Sequence, residues 1–160
     1  VHVAELQSLE ELWLGSTNLT DEAFLPLSGL QNLRFLSANA VAVGDAGVRS
    51  LVGLTSLETL MLAETDVSDD GLPYIARLSN LRFLNLCGTK VTPAGLGELN
   101  SLRKLETLVL DAAQVNEEGI DHLVELPALS LLIVRSSPPD DSTLERLRIA
   151  LPKCRVRYGE

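Results

Sequence analysis

The sequence predicts an α/β repeat solenoid, and three observations carry that prediction. Leu9, Leu33, Leu57, Leu81, Leu105 and Leu129 recur every 24 residues along a chain of 160. Each is followed by an alternating apolar pair: Leu12/Leu14, Leu36/Ala38, Leu60/Leu62, Leu84/Leu86, Leu108/Leu110 and Leu132/Val134. Alternation with period two is what a strand with one buried face requires. Further along each unit a second apolar set recurs at every third residue: Phe24/Leu27/Leu30, Val48/Leu51/Leu54, Leu72/Ile75/Leu78, Leu96/Leu99/Leu102 and Ile120/Leu123/Leu126. That spacing is the inward face of a helix or a tight helical turn. A unit of this length cannot bury its own leucines, so neighbouring units must stack and fold together.

The elements follow in order within each unit. The strand comes first, and the link after it carries helix-start chemistry. Thr20, Ser68, Thr92 and Asn116 are residue types that cap helix N-termini. Acidic residues follow in the first turn (Asp21, Glu22, Asp45, Asp69, Asp70, Glu117 and Glu118), opposing the positive end of the helix dipole. Pro93 takes the first helical position once, where proline is favoured. Gly47, Gly71, Gly95 and Gly119 recur just inside the helical segment and leave room for close helix–coil packing. At the start, Val3 and Leu6 fit the helical half of a preceding unit, so the chain is expected to begin mid-repeat. At the end, a degenerate S-S-P-P-D-D-S-T stretch leads to Leu144, Leu147 and Leu151 on a helix. A last strand then points Cys154, Val156 and Tyr158 one way and Arg155 and Arg157 the other, forming a C-terminal cap.

Units such as L-E-T-L-M-L-A-E-T-D-V-S-D-D-G-L and L-R-F-L-N-L-C-G-T-K-V-T-P-A-G-L resemble leucine-rich repeats over nearly the whole chain. The V-[ST]-D-x-G-L part is similar to the cysteine-containing subclass found in F-box-type proteins and in bacterial relatives. Where that subclass has Cys or Asn, this chain has Thr17, Val41, Thr65, Thr89, Ala113 and Ser137. A Thr or Ser hydroxyl there can bond the neighbouring turn; Val41 and Ala113 cannot. No F-box-like segment accompanies the repeats. The resemblance implies an α/β leucine-rich repeat solenoid, a right-handed curved horseshoe with a parallel sheet on the concave face and short helices on the convex face. It is expected to be a single domain over 1–160: a partial unit at 1–8, core repeats at 9–136, and a degenerate last repeat with its cap at 137–160.

Composition narrows the function. Apolar residues make up 46% of the chain, which excludes a disordered tail, and aromatics only 4%, so the core is filled by 34 leucines rather than rings. A net charge of −9 argues against non-specific nucleic-acid binding. No apolar run approaches the ~20 residues of a membrane span, and a signal peptide is not expected from the opening residues. Cys87 and Cys154 lie too far apart along a rigid stack to pair, which fits a reducing, cytoplasmic setting. Cys87 is a conceivable nucleophile, but no base is near it: His122 falls on the convex side and His2 at the start. Asp69-Asp70 and Asp140-Asp141 read as helix starts rather than metal ligands. No catalytic residue, cofactor site or metal site is assigned, and an enzyme is not expected.

Residues alternating with the inward leucines line the sheet face in columns. One column is Glu11, Phe35, Thr59, Phe83, Thr107 and Leu131; the next is Trp13, Ser37, Met61, Asn85, Val109 and Ile133. Their large members zigzag as Trp13, Phe35, Met61, Phe83 and Val109, the kind of exposed side chain that anchors partners. A third column, Glu10, Arg34, Glu58, Arg82 and Glu106, alternates in sign and reads as a stabilising ladder. Charge is also polarised along the stack, with net −12 over residues 1–144 and net +3 over 145–160. The expected function is therefore a non-enzymatic module binding a protein or peptide on its concave sheet. Its contact residues would be Trp13, Phe35, Met61, Phe83, Val109 and Ile133, with Arg135, Arg155 and Arg157 orienting an acidic part of the partner. The alternative is a structural or regulatory repeat segment of a larger protein, acting through intramolecular contacts or self-association.

Overall fold

The computed structural model describes residues 6–159. The expectations that rest on Val3 and His2 lie outside the described residues. Seven strands form one sheet in chain order: β1 Glu11–Trp13, β2 Phe35–Ser37, β3 Thr59–Met61, β4 Phe83–Asn85, β5 Thr107–Asp111, β6 Leu131–Arg135 and β7 Arg155–Tyr158. Every pairing is parallel, and every residue pairs with the one 24 positions on, as in Leu12↔Leu36 and Leu132↔Val156. The sequence repeat is thus the register of the sheet, the architecture of an α/β solenoid.

Helical segments return the chain between strands on the far side of the sheet. Several are 3₁₀ rather than α: Asp21–Gly29, Asp69–Gly71, Ala94–Ser101 and Ala112–Gln114. A 3₁₀ helix has three residues per turn and lines up every third side chain on one face, so the spacing of three suits it, though the same spacing also occurs in the α-helical segments. Phe24 and Leu30 are fully buried and Leu27 nearly so in the first of these. The α-helices are α1 Asp45–Arg49, α2 Leu72–Ile75, α3 Glu117–Leu123 and α4 Asp141–Ala150. One apolar cluster runs from Phe24 to Leu151, and Leu9, Leu12, Leu14 and Leu19 are only partly buried against its first layer.

The turn after each strand is built the same way. Ser16, Ala40, Glu64 and Gly88 adopt left-handed backbone with φ of 57, 53, 57 and 69°. The following threonines hold the turn, as Thr17, Thr65 and Thr89 donate their hydroxyls to the carbonyls of Leu14, Leu62 and Leu86 at 2.6–2.7 Å. Val41 has no hydroxyl and Ala40 still keeps the left-handed form, whereas at Ala113, which also lacks one, the turn is rebuilt. Residue 112 is not left-handed, β5 runs on to Asp111, and the neighbouring Gln114 becomes a buried connector. Gln114 accepts from the Asp111 N–H at 2.8 Å and donates to the Val91 carbonyl at 3.0 Å.

The acids lie in the first helical turns as read and Asn116 caps its helix, but three of the acids also bond across units and Thr20 does not cap. Asp21, Asp45 and Asp69 reach forward into the next unit. Asp21 accepts from the Gly44 N–H; Asp45 from the Ser68 N–H and hydroxyl; Asp69 from the Thr92 N–H and hydroxyl, all at 2.6–2.8 Å. Thr20 makes no side-chain cap, and the Ser68 and Thr92 hydroxyls accept from their own first turn only at 3.4 Å. The recurring glycines make room for these carboxylates. A Cβ on Gly71 would lie 2.5 Å from Asp45 Oδ1, and one on Gly95 would lie 2.0 Å from Asp69 Oδ1. Pro93 interrupts the series because it has no carboxylate to offer. Beyond it Asn116 caps its own helix through the Gly119 N–H at 3.0 Å, and Asp140 caps α4 through Thr143 N–H at 2.9 Å.

Candidate functional site: the sheet face

The strands place the expected columns in register across the sheet. Glu11, Phe35, Thr59, Phe83, Thr107, Leu131 and Arg155 form one row of pairs; Trp13, Ser37, Met61, Asn85, Val109, Ile133 and Arg157 form the other. Trp13 is 65% exposed and packs against Phe35, with ring centroids 4.3 Å apart and planes tilted by 34°. Phe35, Met61, Phe83 and Ile133 are half-buried. Val109 stands differently from its expected role. It is only 3% exposed, flanked in register by Asn85 and Ile133, and has almost no surface left to offer. Nothing in its residue type marked this; it depends on how its neighbours lie across the sheet.

The charged column forms ion pairs two units at a time. Arg34 meets Glu58 at 2.9 Å through two N–H groups, and Arg82 is paired with Glu106. Both pairs are largely exposed, so each contributes ~0.2–1 kcal/mol.

Cys87 follows β4 and is half-buried. Its Sγ donates to Asp111 Oδ1 at 3.2 Å. Burial, with the Asp111 carboxylate as acceptor and neighbouring charge, pushes the thiol up to about 11. A thiol held in its protonated form is a poor nucleophile. Burial alone would raise the Asp111 carboxyl, but hydrogen bonds from the Ser136 hydroxyl, the Gly88 N–H and Cys87 outweigh it and hold it below the usual value. Those bonds are 2.5 Å from Ser136 Oγ and 2.5 Å from Gly88 N. Cys154 is likewise raised by burial, and both cysteines are free thiols. His122 lies in α3 on the helical side, with its ring beside Gly97.

At the far end of the sheet the surface turns basic. Arg155 pairs in register with Leu131, Arg157 with Ile133, and Arg135 with Asp111. All three arginines are exposed, and none makes an ion pair among the described residues. Arg135 and Arg157, with Ile133 and the end of β7, line a shallow pocket of about 440 Å³. Among the described residues no group of His, Cys, Asp or Glu is arranged to hold a metal ion, and no helix is long and apolar enough to cross a membrane.

Solved structures share this geometry. A leucine-rich repeat protein of Leptospira interrogans is 25% identical with a TM-score of 0.69, the match covering 96% of this chain and 38% of that one. An internalin of Listeria monocytogenes is 20% identical with a TM-score of 0.64, covering 97% of this chain and 49% of its own. A TDR receptor is 20% identical with a TM-score of 0.59, covering 98% of this chain and 27% of its own. The chain therefore spans less than half the length of each. No curated protein matches it. The family model described as a leucine-rich repeat region matches residues 1–151. With that match and the parallel 24-residue register beneath it, the chain belongs to the leucine-rich repeat family.

Proposed function

We propose that the chain is a non-enzymatic recognition module that grips a protein segment on its concave sheet. The observation that carries the reading is the exposed Trp13 ring packed on Phe35, at the head of a row that continues through Met61 and Phe83. Large aromatic and Met side chains on a rigid, pre-ordered surface are what protein interfaces use as anchors, because little side-chain freedom remains to be lost on binding. A parallel sheet with fixed register supplies that rigidity. The two arginine–glutamate pairs lie beside the row and act as a polar rim. Cytoplasmic residence remains part of the proposal, and the free, protonated thiols of Cys87 and Cys154 are compatible with it.

The test is a pull-down from source-cell lysate, comparing the chain with a Phe35→Glu/Phe83→Glu variant shown by circular dichroism to be folded. Capture of a partner by the first and its loss from the second is the expected outcome. Equal capture by both would remove recognition from the sheet face.

A further inference from the structure

Resting on that reading, we infer that the basic end of the sheet is a carboxylate-binding subsite that fixes the orientation of the bound segment, and that the segment carries two acidic residues separated by one position. Arg155 and Arg157 lie on the same strand two residues apart, so both point to the sheet face, ~6.7 Å from each other. Arg135 lies on the neighbouring strand, two residues beyond the partner of Arg157, so the two are diagonal neighbours ~7–8 Å apart. An extended peptide crossing the strands places residues i and i+2 on one side ~6.7 Å apart, close to the ~7–8 Å diagonal from Arg135 on β6 to Arg157 on β7.

The three guanidinium groups are available. The acid nearest by register is Asp111, paired with Arg135, but its oxygens are taken by Ser136, Cys87 and the Gly88 N–H. Glu106 is engaged by Arg82 on the preceding strand. Elsewhere several exposed basic groups are paired (Arg34 with Glu58, Lys90 with Asp66, Arg146 with Glu117), and the exposed ones that make no ion pair among the described residues, such as Arg49, Arg77 and Arg103, do not lie on the strands. Three neighbouring guanidinium groups with no ion pair among the described residues repel one another locally, and an acidic ligand offsets that repulsion. Arginine presents a planar fork that fits a carboxylate with two parallel hydrogen bonds, and the Ile133 side of the pocket supplies an apolar wall beside it. With apolar anchors from β1 to β4 and arginines on β6 and β7, the sheet reads a segment in one direction only. Six strand spacings of ~4.8 Å span ~29 Å, the length of about nine extended residues.

The experiment is selection of a random twelve-residue peptide display library on the full chain, followed by fluorescence polarisation of the enriched peptides. Peptides with an acid-x-acid pair next to an apolar stretch are expected to dominate. Arg135→Gln/Arg157→Gln, with an unchanged melting temperature, should weaken them by about tenfold or more, and raising salt should do the same in part. Acidic peptides bound equally by the arginine variant overturn the subsite. Enriched peptides without paired acids overturn it too; if Phe35→Glu/Phe83→Glu abolishes their binding, recognition by the sheet face stands without it. A library that enriches nothing overturns both.

Discussion

Up to Thr92, a carboxylate from each unit is bonded to the backbone of the unit after it; beyond Pro93, Asn116 and Asp140 instead cap their own helices. The first region has strands of three residues, two 3₁₀ segments and two α-helices of at most five residues, and a left-handed residue at every turn. In the second, β5 and β6 run to five residues, α3 and α4 are true helices of 7 and 10 residues, and the turn at residue 112 has changed form. On the sheet face the surface also changes, from aromatic and Met side chains on β1 to β4 to the exposed arginines of β6 and β7, which make no ion pair among the described residues. Leucine stacking is common to both regions, so the leucines do not account for the difference. The periodic aspartate does: where it is present it ties neighbouring units directly, and where it is absent each helix must satisfy its own first turn.

The largest effect should come from filling one glycine cradle. Gly95→Ala puts a methyl 2.0 Å from Asp69 Oδ1 and 2.4 Å from its Cγ, so the carboxylate must leave Thr92. A loss of about 3 kcal/mol is expected in a denaturant titration. Gly53→Ala, whose nearest contact would be 3.5 Å, should be close to neutral. Asp69→Ala removes the clash along with the bonds, so Asp69→Ala/Gly95→Ala should cost clearly less than the two single changes together; simple additivity would break the ladder account.

Next comes the connector that replaces the ladder. Gln114→Ala leaves the Asp111 N–H and the buried Val91 carbonyl unpaired, and about 2 kcal/mol should be lost. A smaller, pH-dependent effect separates the two regions by another route. Hydrogen bonds from Ser142 and Thr143 lower the Asp140 carboxyl from 3.8 to about 2. A carboxyl lowered in the fold stabilises above its unfolded value and loses that contribution as pH falls through the folded one. Amide protection factors in α4, corrected for the intrinsic exchange rate at each pH, should therefore fall between about pH 4 and pH 2, and Asp140→Ala should remove that dependence. The smallest effect is at the exposed pairs: Arg34→Gln should shift stability by only ~0.2–1 kcal/mol, and less in high salt.

Much of the frame was legible in the residues. The 24-residue period proved to be the strand register itself, and the sheet-face columns fell out of simple alternation. The aspartate ladder was not, because a bond between residues 23 apart joins two positions that each look like local helix-start chemistry. The pattern was nonetheless present: Asp45 is followed by Ser68 and Gly71, and Asp69 by Thr92 and Gly95, at identical offsets. Spacing three was compatible with either helix type, and it occurs in both: Asp21–Gly29 and Ala94–Ser101 are 3₁₀, while Asp45–Arg49 and Leu72–Ile75 are α. The burial of Val109 and the rescue of the Ala113 turn by Gln114 depend on neighbours across the sheet, which no local pattern encodes.

Recognition by the sheet face is tested most directly by photocrosslinking. A benzoylphenylalanine at position 35, on the sheet, is compared with one at position 25, where Leu25 is 62% exposed on the helical side. In lysate, the probe at 35 should yield a discrete crosslinked partner and the probe at 25 should not. A partner captured through 25, or equally through both, would contradict recognition on the concave sheet.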